Sequence, residues 1–217
     1  MNFPLVAVSV VLAYLIGSIP TAVWVGTSRY GIDVREHGSG NAGATNTFRV
    51  LGAKAGIVVM LVDIMKGLAA SSLAVLLFLI NAIPQHDIVV FKLILGIIAI
   101  LGHIFPVYVN FKGGKGVATL LGMALAIKFP VALICVGVFF IVLLISRYVS
   151  LSSIIGTLAF PILMTVPVFS PGEPVLVVFG FALFGIVTYT HKKNIKRILN
   201  GEENKTYLRF KKKSEQI

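Results

Sequence analysis

The sequence is poor in the residues that build soluble proteins. Charged side chains make up 12% of its 217 residues, about half the roughly 25% of an ordinary soluble domain. Only 8 of them are acidic against 19 basic, a formal net charge of +11. The single cysteine, Cys135, excludes an internal disulfide and a cysteine-based metal site. Inside the apolar run 131–145 it reads as a buried small hydrophobe. No cluster of carboxylates suggests a divalent-cation site. None of the histidines His37, His86, His103 and His191 has an aspartate five residues on. That removes the His-x4-Asp arrangement of many acyltransferases, and no Ser-His-Asp arrangement stands out. The N-terminus lacks the basic start and small-residue cleavage pattern of a signal peptide, so its apolar run reads as a real span. There is no sequence repeat and no low-complexity segment.

What is abundant is apolar. Hydrophobic residues reach 57% of the chain, and the mean hydropathy is +0.96. No soluble fold of this size has enough interior to hide that much apolar side chain. A soluble globular enzyme and a disordered chain are therefore excluded. An all-α, polytopic integral membrane protein remains, read as one membrane-embedded domain over residues 1–217. At roughly 20 residues per span the expected spans are 5–25, 55–80, 88–108, 117–127, 131–145, 151–169 and 175–190. Pro130 splits the long run 117–145 at or near Lys128, which leaves two short spans among about seven. A five-span arrangement, with 117–145 as one helix and another segment re-entrant, is the alternative.

Charge sets the orientation. Arg29, Arg35, Arg49, Lys54, Lys112, Lys115, Arg147 and the tail from His191 fall on one side of a seven-span chain. The other side carries only Lys128. The N-terminus is expected outside and the C-terminus in the cytoplasm. Residues 191–217 read as a basic tail. Ile195, Ile198 and Leu199 at helical spacing suggest an amphipathic helix on the membrane surface. The excess of positive charge favours anionic partners, lipid headgroups or phosphorylated substrates, over any nucleic acid.

The polar residues collect in the loops of that basic side. Residues 36–49 hold Gly38, Gly40 and Gly43 with Ser39, Asn41, Thr45, Asn46 and Arg49. Such a loop lets backbone N–H groups approach an anion, or it is a flexible polar loop capping the next helix. Lys112-Gly113-Gly114-Lys115-Gly116 opens an apolar helix, and helix N-termini favour anions. It is not a Walker loop, because neither Ser nor Thr follows Lys115. Arg147 reads as a phosphate ligand or a membrane anchor. Ser150, Ser152 and Ser153 read as ligands or as caps of the sixth helix. His191, Asn194 and Ile198 share a helical face, and Glu202 and Glu203 could bind a helix or a lysine. Inside the second span Asp63 and Lys66 are three apart, on one face. They are functional candidates or an internal ion pair that orients helices. These features suit an enzyme acting on phosphates, or a transporter or flippase for an organic phosphate or lipid.

At these loops the sequence resembles the bacterial acyl-phosphate-dependent glycerol-3-phosphate acyltransferases, the PlsY family. The resemblance is carried by Ser39 to Asn46 with Arg49 and Gly52, then His103-Ile-Phe-Pro through Lys112-Gly-Gly-Lys-Gly-Val-Ala-Thr119. Arg147 with Ser150 to Ser153, His191-x-x-Asn194-Ile195-x-Arg197 and Gly201-x-Glu203 complete it. One departure is Lys192, where the family often has Arg. The resemblance implies a seven-span inner-membrane enzyme with its active site on the cytoplasmic side. It would move a fatty acyl group from acyl phosphate to the 1-hydroxyl of glycerol 3-phosphate, giving lysophosphatidic acid for phospholipid synthesis, with no cofactor and no metal. Ser39, Lys115 and His191 are then the catalytic candidates. Gly40, Asn41, Gly43, Thr45, Asn46 and Arg49 would bind phosphate or substrate, with Lys112, Gly113, Gly114, Gly116 and Thr119. Arg147, Ser152, Asn194, Arg197 and Glu203 join them, and Asp63, Lys66 and His103 support the site. Direct attack by the glycerol hydroxyl is the expected chemistry, its proton passing to phosphate or to His191. An acyl-enzyme at Ser39 is disfavoured because no base is visibly paired with it.

Overall fold

The structure is a computed structural model and describes residues 1–169 and 173–206. The lysines Lys211, Lys212 and Lys213, and Pro171 and Gly172 of the expected tight turn, lie outside the described residues. Among the described residues ten α-helices follow in order: α1 (Phe3–Ser18), α2 (Thr21–Tyr30), α3 (Ala44–Leu51), α4 (Ala53–Leu79), α5 (Ile88–Ile104), α6 (Val117–Ile127), α7 (Phe129–Ser146), α8 (Val149–Met164), α9 (Pro174–Thr190) and α10 (Lys192–Leu199). Among the described residues the rest of the regular structure is three short 3-10 turns.

Local chemistry sets the breaks. Pro20 lacks an N–H and disfavours helix at Ile19, so the first apolar run divides into α1 and α2, bent by 42°. Lys128-Phe129-Pro130 separates α6 from α7 as the sequence suggests, with Pro130 in the first turn of α7. Two expectations are corrected. The glycine-rich stretch is not loop throughout: residues 44–51 form α3, which buries Asn46 and Thr47. The sixth span stops at Met164, short of residue 169.

Among the described residues three stretches are long and apolar enough to cross a membrane alone: α4, α5 together with its flanking turns (Gln85–Val109), and α7. The bent pairs α1–α2 and α9–α10 qualify as pairs, and α6 and α8 are shorter apolar helices. Lipid tails supply little drive for helices to associate, so close backbone approach and buried polar contacts must supply it. Small residues permit that approach. A Cβ at Gly67 of α4 would lie 1.8 Å from the Thr119 carbonyl oxygen of α6, and one at Gly122 of α6 would lie 1.9 Å from that of Ile64. Gly17 of α1 seats against Ala99 of α5 in the same way. The outward faces are apolar: Ile141, Leu144 and Ile145 of α7 are all exposed.

Two cations, buried Lys66 and half-buried Lys92, hold the broken pieces. Lys66 Nζ donates to the Ile19 carbonyl at 2.6 Å, at the break before Pro20, where the Thr21 N–H also donates to that oxygen at 3.0 Å. It also pairs with Asp63 at 2.6 Å, and Asp63 accepts from Thr21 Oγ1 at 3.1 Å. One ion pair thus bridges α4 to both halves of the first span. Lys92 of α5 donates to the Ala126 carbonyl at 2.7 Å, satisfying the C-terminus of short α6.

Candidate active site

A cavity of about 410 Å³ opens at the end of the bundle where α3, α6, α8 and α10 begin. Its polar end is made by the first turns of those four helices: Gly43 to Thr45, Gly116 to Ala118, Val149 with Ser150, and His191 with Asn194. None of the four has a side-chain cap, and none has an acidic residue in its first turn. An uncapped first turn presents unpaired N–H groups and the positive end of the helix dipole. Four of them around one space, with Arg49, Lys115 and Arg197 on the same wall, make a receptor for more than one anionic group.

Three side-chain arrangements organise this end. Asn46, 1% exposed, donates through Nδ2 to the carbonyls of Val34 (2.7 Å) and His37 (3.1 Å) and accepts from Ser39 N (2.8 Å) and Oγ (3.1 Å). It folds the glycine-rich loop back on α3, with its own amide spent. Ser39 therefore donates to an amide oxygen, which cannot take its proton. Second, Lys115 donates to Asn194 Oδ1. Asn194 Nδ2 in turn donates to Glu203 Oε1 at 2.6 Å, Ser150 Oγ donates to the same oxygen at 2.8 Å, and Arg197 Nε reaches Oε2 at 2.7 Å. Burial works to raise the Glu203 pKa, but these hydrogen bonds and the Arg197 charge outweigh it and hold it below the usual range. Third, His191 Nδ1 donates to the Val187 carbonyl at 2.8 Å, which fixes the tautomer and leaves Nε2 the acceptor.

Electrostatics follow from this packing. Burial pushes Lys115 down to about 8; Glu203 opposes the fall, while Arg197 and Arg49 deepen it. Burial, then the Lys115 charge, lowers His191 to about 4, against the Val187 hydrogen bond and Glu203. His191 is therefore neutral at physiological pH, and Lys115 carries most of its charge.

Several expected ligands stand elsewhere. Lys112, Gly40, Thr119 and Arg147 do not line the cavity. Gly113 N and Gly114 N donate to the carbonyls of Ile104 (3.2 Å) and His103 (3.1 Å), so these amides close the end of α5 instead of holding an anion. A Cβ at Gly113 would fall 2.0 Å from the His103 carbonyl oxygen, and one at Gly114 would fall 2.2 Å from its Nε2. The two glycines are there for close approach, and they aim Lys115. The serines do not cap α8. Ser152 Oγ bonds back to the Tyr148 carbonyl at 2.8 Å and is fully buried away from the cavity. Ser150 and Ser153 line the cavity instead; their helical i, i+3 spacing was the available signal. Asn204 and Thr206 also line it and carried no sequence signal. Asp63 and His103 reach the wall, whereas Lys66 stays behind it.

Away from the polar end the cavity turns apolar between α6, α7 and α8, past Leu121, Val136, Phe139 and Gly156 to Ala132 and Phe160. Cys135 lines this part, half-buried rather than packed away.

An all-helical integral membrane bundle whose cavity joins an anion receptor to an apolar branch defines a class: membrane proteins that handle phosphorylated, lipid-like molecules. The family model for glycerol-3-phosphate acyltransferase matches residues 7–201, and the chain belongs to that family. It is 42% identical to the glycerol-3-phosphate acyltransferase of Chlorobium phaeobacteroides (strain BS1), over 89% of this chain and 93% of the relative. It is 46% identical to that of Geobacillus kaustophilus (strain HTA426), over 92% and 95%. Crystal structures of PlsY, an integral membrane glycerol 3-phosphate acyltransferase, superpose on it at 37% identity. The glycerol 3-phosphate form gives a TM-score of 0.81 over 93% of this chain and 96% of that one. The lysophosphatidic acid form gives 0.79 over 93% and 95%.

Proposed function

We propose that this protein transfers a fatty acyl group from acyl phosphate to the 1-hydroxyl of glycerol 3-phosphate, releasing lysophosphatidic acid and phosphate. The observation that carries this reading is the junction inside one cavity of four uncapped helix N-termini with an apolar branch. Both substrates are phosphate anions, and only the donor brings a tail that prefers an apolar wall. The uncapped helix ends, with Arg49, Lys115 and Arg197, hold the two phosphates against their mutual repulsion. They bring the hydroxyl to the donor carbonyl, which is already activated as a mixed anhydride.

The hydroxyl oxygen attacks the carbonyl carbon, and the carbon–oxygen bond to phosphate breaks. The leaving phosphate is far more basic than His191, whose pKa is held at about 4, so the hydroxyl proton ends on phosphate. Nε2 of His191 orients the hydroxyl as a neutral acceptor. Ser39 shapes the phosphate site and is not acylated, because its hydroxyl faces the Asn46 amide and no base.

The same reading places seven spans in a bacterial inner membrane, with the N-terminus outside and the cavity's polar end at the cytoplasmic face. The supports are the basic residues clustered at that end and the apolar character of α6 and α8. A transporter loses its main support, because the Asp63–Lys66 pair is spent closing the broken first span.

The test is purified protein with palmitoyl phosphate and radiolabelled glycerol 3-phosphate, beside tubes with palmitoyl-CoA or with Lys115→Ala protein. Labelled lysophosphatidic acid from acyl phosphate alone, lost in the variant, is the expected result. No product from folded protein sinks the reading.

A further inference from the structure

On one side the apolar branch of the cavity is bounded by a wall that it shares with a second space. Four residues, Leu120, Ala124, Thr157 and Phe160, line the branch on one side. The same four line a separate small void on the other, completed by Met123, Gly180 and Leu183. That void is about 10 Å³, near the least that admits a single water, and every residue around it presents apolar atoms. Thr157 is no exception, since its hydroxyl is spent on the Ser153 carbonyl at 2.8 Å and its methyl is what remains. Phe160 is the bulkiest member of the wall and is 6% exposed. Its ring leans toward α9, where Gly180 leaves it room: a Cβ there would stand 3.2 Å from Phe160 Cδ1.

From this geometry we infer that Phe160, with Ala124 opposite, is the stop that measures acyl-chain length. The void behind it is the unused continuation of the chain's path. The inference rests on the acyl-phosphate reading and adds a specificity determinant to it. Ser150 at the polar end and Phe160 lie ten residues apart on α8, about 15 Å along the helix axis at 1.5 Å per residue. A fully extended palmitoyl chain is longer than that. The chain tip therefore meets the wall, and the wall sets how many methylenes fit. Removing the ring merges the two spaces and lengthens the path toward Gly180 and Leu183. Enlarging Ala124 shortens it.

The experiment compares kcat/KM for myristoyl, palmitoyl, stearoyl and arachidoyl phosphate in the purified enzyme, Phe160→Ala and Ala124→Val. Ratios between donors cancel any loss of folded protein. One methylene in an apolar pocket is worth on the order of tenfold or more in selectivity. Phe160→Ala is expected to move the optimum to a longer chain by roughly tenfold in the stearoyl-to-palmitoyl ratio, and Ala124→Val to move it to a shorter one. If Phe160→Ala does not accumulate as folded protein, Phe160→Leu gives the same direction with less change in volume. Active variants with the parent's ratios overturn the stop while leaving the acyltransferase reading intact. Folded parent protein that uses no acyl phosphate overturns that reading, and the stop falls with it.

Discussion

Lys115 and Glu203 share one side-chain amide: Asn194 accepts from the lysine through Oδ1 and donates to the glutamate through Nδ2, at 2.6 Å. The amide can face only one way between a cation and an anion, so α10 holds Lys115 in a fixed position. Asn194→Asp puts a carboxylate beside Glu203 and forces one of the two to protonate or move. Asn194→Ala removes two hydrogen bonds to charged groups, and the one that holds Lys115 is worth about 1.5–3 kcal/mol. We expect Asn194→Ala to lower kcat/KM for glycerol 3-phosphate by about tenfold to a hundredfold. Asn194→Asp should be worse despite its near-identical shape. Steady-state kinetics on the pair checks the order, and an aspartate variant as active as the parent would show that the amide is not oriented.

Lys115 also sets the alkaline limit. Its pKa, lowered first by burial, is about 8. The charged form, which binds phosphate, is present below that value and is lost as pH rises through it. kcat/KM, which reports the free enzyme, should therefore fall above about pH 8, tenfold per unit. Lys115→Arg keeps its charge past pH 12 and should flatten that limb, whatever it costs in absolute rate. A parent profile flat to pH 9.5 would contradict the assignment.

The sequence made much of this arrangement readable. Breaks at Pro20 and Pro130, the short α6 and the polar clusters all follow from rules local in sequence. Most residues chosen from those clusters converge on one cavity. What stayed hidden depends on tertiary contact. Gly113 and Gly114 read as an anion nest, yet their amides turn to the end of α5, because only the fold brings the His103 and Ile104 carbonyls there. Lys112 and Lys115 look equivalent in the string, but only Lys115 enters the cavity. Ser152 and Ser153 differ by one helical step, about 100° of rotation, and that decides which of them lines the cavity. Nothing along the chain announces that the Lys66 ammonium answers a carbonyl 47 residues away.

The glycine contrast is testable directly. Gly113→Ala must displace backbone at His103, so a large loss of folded, active protein is expected. Gly137 in α7 and Gly185 in α9 have open space where a Cβ would go. Alanine there should be neutral or stabilising by up to about 1 kcal/mol, the helix-propensity difference. Thermal unfolding in detergent, with activity alongside, distinguishes the three. Equal tolerance of all three would remove the close-approach account of Gly113.

Removing Lys66 should be costly for stability more than for chemistry. Lys66→Met leaves Asp63, 2% exposed, without its counter-ion and leaves the Ile19 carbonyl with only the Thr21 N–H, at 3.0 Å. Breaking a buried pair from one side costs about 3–5 kcal/mol. Replacing both members, Asp63→Asn with Lys66→Met, removes the stranded charge and should recover part of that loss. A double variant less stable than the single one would argue that the pair does something besides bridging α4 to the broken first span.

His191 distinguishes two routes for the proton. If the leaving phosphate takes it, the imidazole contributes one oriented hydrogen bond to the attacking hydroxyl. Losing that bond costs about 1–3 kcal/mol, a fall in kcat of roughly five- to a hundredfold. A general base would contribute as much as ~10⁴-fold, and its loss would be repaired in part by added imidazole. His191→Ala should therefore show the smaller loss and no rescue. His191→Gln, which can present an amide oxygen to the hydroxyl but cannot take its proton, should recover activity over Ala. A loss near 10⁴ with imidazole rescue would instead make His191 the base. It would also require bound phosphate to lift the histidine far above the value that burial and Lys115 impose on it.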